Sequence, residues 1–307
     1  MQTAQPQQIA ILGAGAIGQL IFHQLSQDAS SPHLFGRQSQ KRLLSFTNIA
    51  GNSLQRQIRL ASAQDEALLS KLDLLIICVK AHQVVEAVTP LFNRLNPQCH
   101  LLLLHNGLGP HLELIPLLQG RGLSLGTTSQ GALRQQAWQL LQTGEGITQL
   151  GHYCGPQMPL AIRERLLSQI PNSQWCEPIL PMLWQKLAIN VAINPLTALF
   201  NCRNGELAKA EHRPLIESLL AEVFKVAEQE NIPLDREALT QRVFDVIQLT
   251  ANNYSSMHQD IAHGRKTELD AITGYVIQRG AHHGIATPEN SAIYQKMCML
   301  SASSSKV

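Results

Sequence analysis

The sequence has little charge, few aromatic residues and no long apolar run. Lysine and arginine number 24 and aspartate and glutamate 22 among 307 residues, so the formal net charge is only +2. A balance so close to neutral gives no electrostatic basis for binding nucleic acid. Apolar runs such as 74–79 are far shorter than the roughly 20 residues of a membrane helix, so we expect no membrane span.

Cysteine is sparse and scattered. The six cysteines form no C-x-x-C pair and show no clustered spacing typical of a zinc site, so we expect no bound metal. The same distribution favours a reducing compartment. The N-terminus lacks the basic start and the small-residue cleavage site of a signal peptide. We therefore expect a cytoplasmic protein, either a monomer or a homodimer.

Apolar periodicity divides the chain into two halves. In the first half, short apolar runs such as 9–12 and 74–79 alternate with stretches of helical spacing, which predicts a parallel sheet with helices on its faces. The polar segment 45–62 is predicted as a loop or a hairpin. In the second half the spacing is helical, and convincing strand runs disappear. We therefore predict an α/β domain over 1–178 and an all-α domain over 179–307.

The strongest local signal is a G-x-G-x-x-G motif that directly follows the first strand run and opens a helical pattern. Here Gly13 would allow the tight turn, Gly15 the approach of a pyrophosphate, and Gly18 close helix packing. The helix N-terminus would add N–H donors and a positive dipole. An ordinary glycine-rich turn is the alternative. The residues predicted to bind the cofactor here are Gly13, Ala14, Gly15, Ala16, Ile17 and Gly18.

Three polar residues near strand ends point to the same cofactor. Where an NAD-preferring protein has an acid for the ribose 2′-hydroxyl, this chain has Arg37, whose planar guanidinium suits a 2′-phosphate and so indicates NADPH. Lys80 and Asn106 follow two further apolar runs, and ligands bind at the carboxyl ends of parallel strands. The alternatives are a solvated Arg37, a surface Lys80 and an ordinary turn at Asn106-Gly107.

A polar row interrupts an apolar helical stretch in the second half. Lys186, Asn190 and Asn194 are four residues apart, so a helix places them on one face. Burying them without partners would be costly, which favours a ligand cleft, and capping with helix packing is the alternative for the asparagines. Because Pro195 has no N–H, we expect the helix to kink or restart there, with Asn194 as a cap.

Two further candidates lie downstream. Ser256 and Asp260 are four residues apart and would share a helix face. The segment Thr267-Glu-Leu-Asp270 has the form of a capping box, which places Glu268 at the first helical position. Its charge would suit the helix dipole there without any further function, so this position alone does not assign Glu268 to a site.

Six segments together carry a family resemblance: GAGAIGQL, VKAHQV, HNGLG, LWQKLAINVAINPLTALFNCRNGEL, NNYSSMHQDIAHGRKTELDAITGYV and HHGIATPEN. With these segments the chain resembles the ketopantoate reductase (2-dehydropantoate 2-reductase) family over nearly its whole length. The resemblance implies a Rossmann-type N-terminal domain with a parallel sheet, an all-helical C-terminal domain and an active site between them. It also implies NADPH-dependent reduction of ketopantoate to (R)-pantoate in pantothenate biosynthesis.

The resemblance further implies residue roles. Lys186 would donate a proton to the keto oxygen, and Glu268 would contact the cofactor or help to close the site. The residues implied to bind substrate are Asn106, Asn190, Asn194, Asn204 and Ser256. The residues implied to lie along the cofactor, besides the glycine motif, are Arg37, Lys80, Asn106, Ala132 and Glu268. The segment 127–132 departs from the family, which often has a histidine and two small residues after its threonines.

The chemistry agrees with this assignment. Hydride attack on a keto carbon develops charge on the oxygen, so a positioned acid or cation must meet it. Lys186 can serve as both, and no histidine lies in the lysine–asparagine block. Two alternatives remain: an NADPH reductase of another branched 2-keto acid, and a non-catalytic NADPH-binding regulator. The regulator predicts damage to the polar row, whose members are all present.

Overall fold

The computed structural model describes residues 7–26, 31–36 and 38–304, which form two compact units. The first unit contains the chain up to His105 together with Pro110–Ile179. The second contains Asn106–Gly109 together with the chain from Leu180 onward. The predicted domains 1–178 and 179–307 do not place residues 106–109 in the second unit. These four residues join it because the N–H of Leu108 donates to the carbonyl oxygen of Ala271.

All strands of the described residues belong to the first unit. Their bounds are β1 Ile9–Leu12, β2 His33–Gly36, β3 Lys41–Thr47, β4 Ser53–Arg59, β5 Ala61–Ser62, β6 Leu74–Ile77, β7 His100–Leu103, β8 Leu123–Thr128, β9 Gly131–Gln136, β10 Gln139–Gly144, β11 Thr148–Cys154 and β12 Ser173–Trp175. The α-helices of this unit are α1 Ala16–Leu25, α2 Glu66–Leu69, α3 Val84–Val88, α4 Pro110–Leu114 and α5 Leu160–Gln169.

Eight strands form the main sheet in the order β12-β11-β8-β7-β6-β1-β2-β5. Every pairing in it is parallel except that of β8 with β11. The strands β6 and β7 are buried along their whole lengths, and apart from His100 at the start of β7 they are apolar, as expected of parallel strands covered on both faces. The predicted α/β class with a parallel sheet is confirmed. Because β1 pairs with β2 on one side and β6 on the other, the strand order reverses at β1, where such sheets bind ligands.

The core of this unit lies between the main sheet and the helices α1 and α5. Ile9, Ile11, Ile21 and Leu25 belong to one buried cluster with residues of α5 such as Leu166. Each such aliphatic side chain contributes roughly 1.5–3 kcal/mol by leaving water. This packing holds α1 against β1.

A second, smaller sheet has the order β4-β3-β10-β9. The strands β3 and β4 form an antiparallel hairpin, so of the two structures predicted for 45–62 the hairpin is confirmed. One face of the small sheet packs on α1. Phe46 and Leu140 of the sheet contact Leu20 of α1, with Ala132 of the sheet and Ala16 of α1 at the margin. The small sheet therefore lies against the first helix.

Every helix-or-strand element among the described residues of the second unit is a helix, which confirms the all-α prediction. Its α-helices are α6 Leu180–Leu199, α7 Arg213–Gln229, α8 Arg236–Leu249, α9 Ser256–Ala262, α10 Thr273–His282 and α11 Pro288–Ser304. The long helix α6 is central, because α7, α8, α9 and α11 all pack against it. Short 3-10 helices cover Asn204–Ala208, Ala210–His212 and Leu269–Ala271.

The helix α6 does not restart at Pro195, so the prediction of a restart with Asn194 as a cap is wrong. A proline removes only one N–H from the helical hydrogen-bond ladder. The residues 191–198 are buried on every side, and the packing of four helices against α6 holds them helical despite that loss. Asn194 consequently lies inside the helix, 8% exposed.

The predicted position of Glu268 as the first residue of an α-helix capped by Thr267 is also wrong. No α-helix begins at Thr267; instead a 3-10 turn covers Leu269–Ala271, and Glu268 precedes it as the N-cap. The Thr267 hydroxyl oxygen accepts a long bond of 3.4 Å from the N–H of Leu269. A role in the dipole of a full helix therefore does not explain this carboxylate.

Candidate active site

The glycine motif forms the turn between β1 and α1. Gly13 has φ +114°, which disfavours any L side chain, and a Cβ there would lie 2.7 Å from the Val79 nitrogen. A Cβ on Gly18 would lie 1.8 Å from the Gly13 carbonyl oxygen. Only glycine at both positions allows this loop to close against the neighbouring strand and the helix to start directly after it.

The space in front of Gly15 is open, since nothing lies within 4 Å of a Cβ built there. Gly15 is the N-cap of α1, and no side chain caps this end of the helix. The first N–H groups of a helix have no partner within the helix, and they carry the positive end of its dipole. The loop and helix start therefore have the geometry that a pyrophosphate needs, and its binding at residues 13–18 stays a prediction.

A buried glutamine holds the back of this loop, and the sequence analysis missed it. The side-chain Nε2 of Gln19 donates to the carbonyl oxygen of Ala14 at 2.9 Å and to that of Ala137 at 2.9 Å. The guanidinium of Arg134 on β9 also donates to the Ala14 oxygen, at 3.3 Å. The available signal was a polar residue placed directly after the motif, on the apolar face of α1.

Two other predicted cofactor residues of the first unit, Lys80 and Ala132, lie within the described residues. Lys80 follows β6, which neighbours β1, and is half-buried at the same end of the sheet as the glycine loop. Ala132 lies in β9, paired with Gln142, where it packs beside Ala16 at the start of α1. Arg37 lies outside the described residues.

The second unit brings three predicted residues into one hydrogen-bonded chain. The Lys186 Nζ donates to the Asn106 Oδ1 at 2.9 Å, and the Asn106 Nδ2 donates to the Glu268 Oε2 at 3.2 Å. The asparagine therefore presents its acceptor to the cation and its donor to the anion. This order fixes how the amide is oriented and holds the ammonium in place.

Local structure explains why these residues meet. Lys186 lies on α6, and Glu268 precedes the 3-10 turn at Leu269–Ala271. The segment Asn106–Gly109 is tied to that turn because the N–H of Leu108 donates to the Ala271 carbonyl oxygen at 2.8 Å. Asn106 thus belongs to the helical unit although it follows β7 in the chain.

The ammonium of Lys186 is electrostatically perturbed. Burial lowers the pKa of Lys186 from its ordinary 10.5 to about 8, and the negative charge of Glu268 opposes part of that fall. A lysine with a pKa near neutrality gives up its proton far more readily than an exposed one. The cluster is therefore suited to deliver a proton to a ligand oxygen.

Asn190 and Asn194 continue the row on α6, one and two turns beyond Lys186, half-buried and buried respectively. The predicted common face is thus present. Beyond α6, Asn204 is 7% exposed, and its Nδ2 donates to the Thr250 Oγ1 at 2.9 Å. The buried Oδ1 of Asn204 has no hydrogen-bond partner among the described residues, which leaves one acceptor for a ligand group.

Ser256 is exposed at the first position of α9, while Asp260 four residues later is buried and pairs with Arg265 at 3.0 Å. The preceding Ser255, absent from the sequence-based set, is the residue that anchors this helix. Its Oγ accepts from the His258 N–H at 3.1 Å and from the Thr197 Oγ1 at 2.8 Å. The helix α9 is thereby tied to α6.

The structure holds no group of three or more histidine, cysteine, aspartate or glutamate residues placed to bind a metal ion, within the ranges it describes. Over the same ranges, no helix has both the length and the apolar character needed to cross a membrane.

The fold and glycine loop define a class, the Rossmann-type nucleotide-binding proteins that carry a helical second unit. Two family models match the chain: ketopantoate reductase PanE/ApbA over residues 9–155, and ketopantoate reductase PanE/ApbA C terminal over residues 178–300. The chain therefore belongs to the ketopantoate reductase PanE/ApbA family.

Similar proteins agree with this membership. The 2-dehydropantoate 2-reductase of Vibrio cholerae is 41% identical, covering 97% of this chain and 99% of the relative, and that of Yersinia pestis is 38% identical, covering 94% and 93%. A ketopantoate reductase structure from Ralstonia eutropha has a TM-score of 0.85 at 20% identity, covering 97% and 99%. A structure of D-mandelate dehydrogenase with NADH and anilino(oxo)acetate has a TM-score of 0.85 at 22% identity, covering 97% of this chain and 99% of that chain. Identities this low show the shared fold.

Proposed function

We propose that this chain is an oxidoreductase that reduces 2-dehydropantoate (ketopantoate) to (R)-pantoate for pantothenate biosynthesis, with NADPH as the reductant. Similarity to relatives named for this reaction, over nearly the full length, supports the substrate. The observation that carries the proposal is the chain Lys186–Asn106–Glu268, in which an amide holds a half-buried lysine whose pKa is lowered to about 8.

A nicotinamide dinucleotide fits the first unit. The open space at Gly15 and the uncapped start of α1 suit its pyrophosphate. Lys80 follows β6 of the main sheet, and Ala132 packs beside Ala16 at the start of α1. We assign the dinucleotide as NADPH because the sequence after β2 has no acid for a ribose 2′-hydroxyl and has Arg37 for a 2′-phosphate. In this proposal residues 1–178 bind the dinucleotide.

The substrate contacts come from the second unit. The amides of Asn190 and Asn194, the free acceptor of Asn204 and the exposed hydroxyl of Ser256 are neutral groups suited to a hydroxyl and a carboxylate. Residues 179–307, with Asn106, would therefore orient the keto acid. Glu268 would help to close the site and keep Lys186 protonated, since its charge raises the lysine pKa.

The proton transfer follows from this arrangement. When bound, the reduced nicotinamide supplies a hydride to the keto carbon. Lys186 in its ammonium form donates a proton to the keto oxygen, so the C=O group becomes CH–OH and the charge that would build up there is neutralised. The neutral amine left on Lys186 then takes a proton from solvent. Asn106 keeps the Nζ aimed throughout, because its Oδ1 accepts from that nitrogen at 2.9 Å.

The test is a panel of keto acids with both reduced dinucleotides. The oxidation of NADPH and of NADH is followed with ketopantoate, 2-ketoisovalerate and benzoylformate, and kcat/KM is compared. We expect the highest value with ketopantoate and NADPH. A clear preference for another keto acid would refute the substrate, a preference for NADH would refute the cofactor, and binding without turnover of any keto acid would indicate a regulator.

A further inference from the structure

Two side chains of the described residues hold the peptide between Ala14 and Gly15 at its carbonyl oxygen. The Ala14 carbonyl oxygen accepts from the Gln19 Nε2 at 2.9 Å and from the Arg134 Nη1 at 3.3 Å. A peptide unit is planar and trans, so its C=O and N–H groups point in opposite directions. Anchoring the Ala14 oxygen therefore aims the Gly15 N–H toward the opposite side of the peptide. The backbone of Gly15 is open to a ligand, since nothing lies within 4 Å of a Cβ built there.

Burial of the Gln19 amide lowers the stability of the fold. The side chain is 0% exposed, and its Oε1 has no hydrogen-bond partner within the described ranges. An orphaned buried acceptor destabilises a fold by roughly 1–3 kcal/mol relative to a satisfied one. An apolar side chain would avoid that cost, so the benefit of glutamine lies in the two bonds that its NH₂ group donates.

Those two bonds connect the glycine loop to the small sheet. One hydrogen of the Gln19 amide goes to Ala14 in the loop, and the other goes to Ala137 in the turn between β9 and β10. Arg134 reaches the same Ala14 oxygen from β9. The β9–β10 hairpin is thus hydrogen-bonded to the glycine loop through Gln19 and Arg134.

We propose that Gln19 is a positioning residue for the dinucleotide: by fixing the Ala14–Gly15 peptide it aims the Gly15 N–H at the pyrophosphate and so sets dinucleotide affinity. The inference rests on the proposed function, which supplies the dinucleotide. Gln19 makes no contact with the ligand, so its loss weakens binding of any ligand that carries the pyrophosphate. The loss of Gln19 should not change the affinity for a ligand that carries only the adenosine end. It should also not change kcat at saturating NADPH.

The chain offers a matched control on the same helix. Gln24 is also buried on α1, its Oε1 is also without a hydrogen-bond partner among the described atoms, and its Nε2 donates to the Gln130 Oε1 at 2.7 Å. It ties α1 to the connection between β8 and β9 but bonds to no residue of the glycine loop. Gln24→Met therefore reproduces the loss of a buried amide without the loss of the loop anchor.

The experiment measures dissociation constants of three ligands, NADPH, 2′-phospho-ADP-ribose and adenosine 2′-monophosphate, for wild type, Gln19→Met and Gln24→Met. We expect Gln19→Met to weaken the two pyrophosphate ligands about tenfold, the effect of one lost hydrogen bond to a charged group. Adenosine 2′-monophosphate should bind within twofold of wild type, as should all three ligands to Gln24→Met. At saturating NADPH, kcat of Gln19→Met should match wild type.

Two results separate this inference from the function beneath it. If wild type binds neither NADPH nor its pyrophosphate fragment, the proposed function fails and the inference falls with it. If wild type binds both and Gln19→Met binds them equally well, or loses adenosine 2′-monophosphate to the same extent, only the inference is overturned. Should Gln19→Met not fold, Arg134→Met serves, because it removes the other bond to the Ala14 oxygen from an exposed residue. It should weaken the same two ligands, and unchanged binding of both would overturn the inference.

Discussion

Replacing Lys186 by methionine tests the proposed chemistry most directly. Methionine keeps the length and the buried volume of the lysine stem but carries neither proton nor charge. In the variant the Asn106 Oδ1 loses the donor that lies 2.9 Å away in the wild-type protein. The bond from the Asn106 Nδ2 to Glu268 is retained, so the surrounding structure should change little.

The size of the effect follows from the pKa. With a pKa of about 8, Lys186 is still mostly ammonium at pH 7 and is a stronger acid than an ordinary lysine with a pKa of 10.5. Loss of a general acid typically costs about 10²- to 10⁴-fold in rate. We therefore expect kcat of Lys186→Met to fall by at least about 100-fold. Lys186→Arg, which keeps the charge but not a labile proton, should also be slow.

The assay compares kcat at saturating ketopantoate with the dissociation constant for NADPH, followed by fluorescence. Lys225→Met provides the control, because Lys225 is an exposed lysine on another helix of the same unit, α7. Dinucleotide binding should survive in all three variants, since the glycine loop belongs to the first unit. A Lys186→Met enzyme that retains kcat within about tenfold of wild type would remove this lysine from the role of acid.

Three further predictions use other features of the structure. Since Glu268 raises the pKa of Lys186, Glu268→Gln should shift the alkaline fall of kcat to a pH below that of wild type, measured as a pH–rate profile. Burial lowers the pKa of His100 from 6.5 to about 4. Between pH 6.5 and pH 4 the imidazole is therefore protonated in the unfolded chain but neutral in the folded protein. The unfolding free energy should therefore drop by up to about 3 kcal/mol as pH falls through this window. The drop should be smaller in His100→Gln. If denaturant titrations at several pH values gave the same pH dependence for wild type and variant, this prediction would be refuted. Gly18→Ala, whose Cβ would lie 1.8 Å from the Gly13 oxygen, should displace the loop and weaken NADPH binding at least about tenfold; unchanged titration curves would contradict it.

Features with short-range causes could be predicted from the sequence. The buried strands β6 and β7 follow from the apolar runs at 74–77 and 101–104. The tight start of α1 follows from Gly18, whose Cβ would lie 1.8 Å from the carbonyl oxygen of Gly13 in the same motif. The row of Lys186, Asn190 and Asn194 follows from helical spacing alone. In each case the interactions that decide the structure lie within a few residues of one another or depend on composition.

Other features depend on packing between distant segments, and these the sequence could not reveal. The helix α6 continues through Pro195 because four helices pack on it, which outweighs the local preference of proline. Asn106 joins the helical unit because the neighbouring Leu108 bonds to Ala271. The bond from Gln19 to Ala137 spans 118 positions of the chain.

The same division separates the parts of the candidate site. The sequence by itself determined which residue types are present and which of them share a helix face or a loop, because backbone preference and periodicity are local. Only the tertiary structure decided that Lys186, Asn106 and Glu268 form one hydrogen-bonded chain and that burial lowers the lysine pKa to about 8. Hydrogen bonds between distant residues and removal from water arise only when the segments pack together, and neither leaves a pattern in the order of residues.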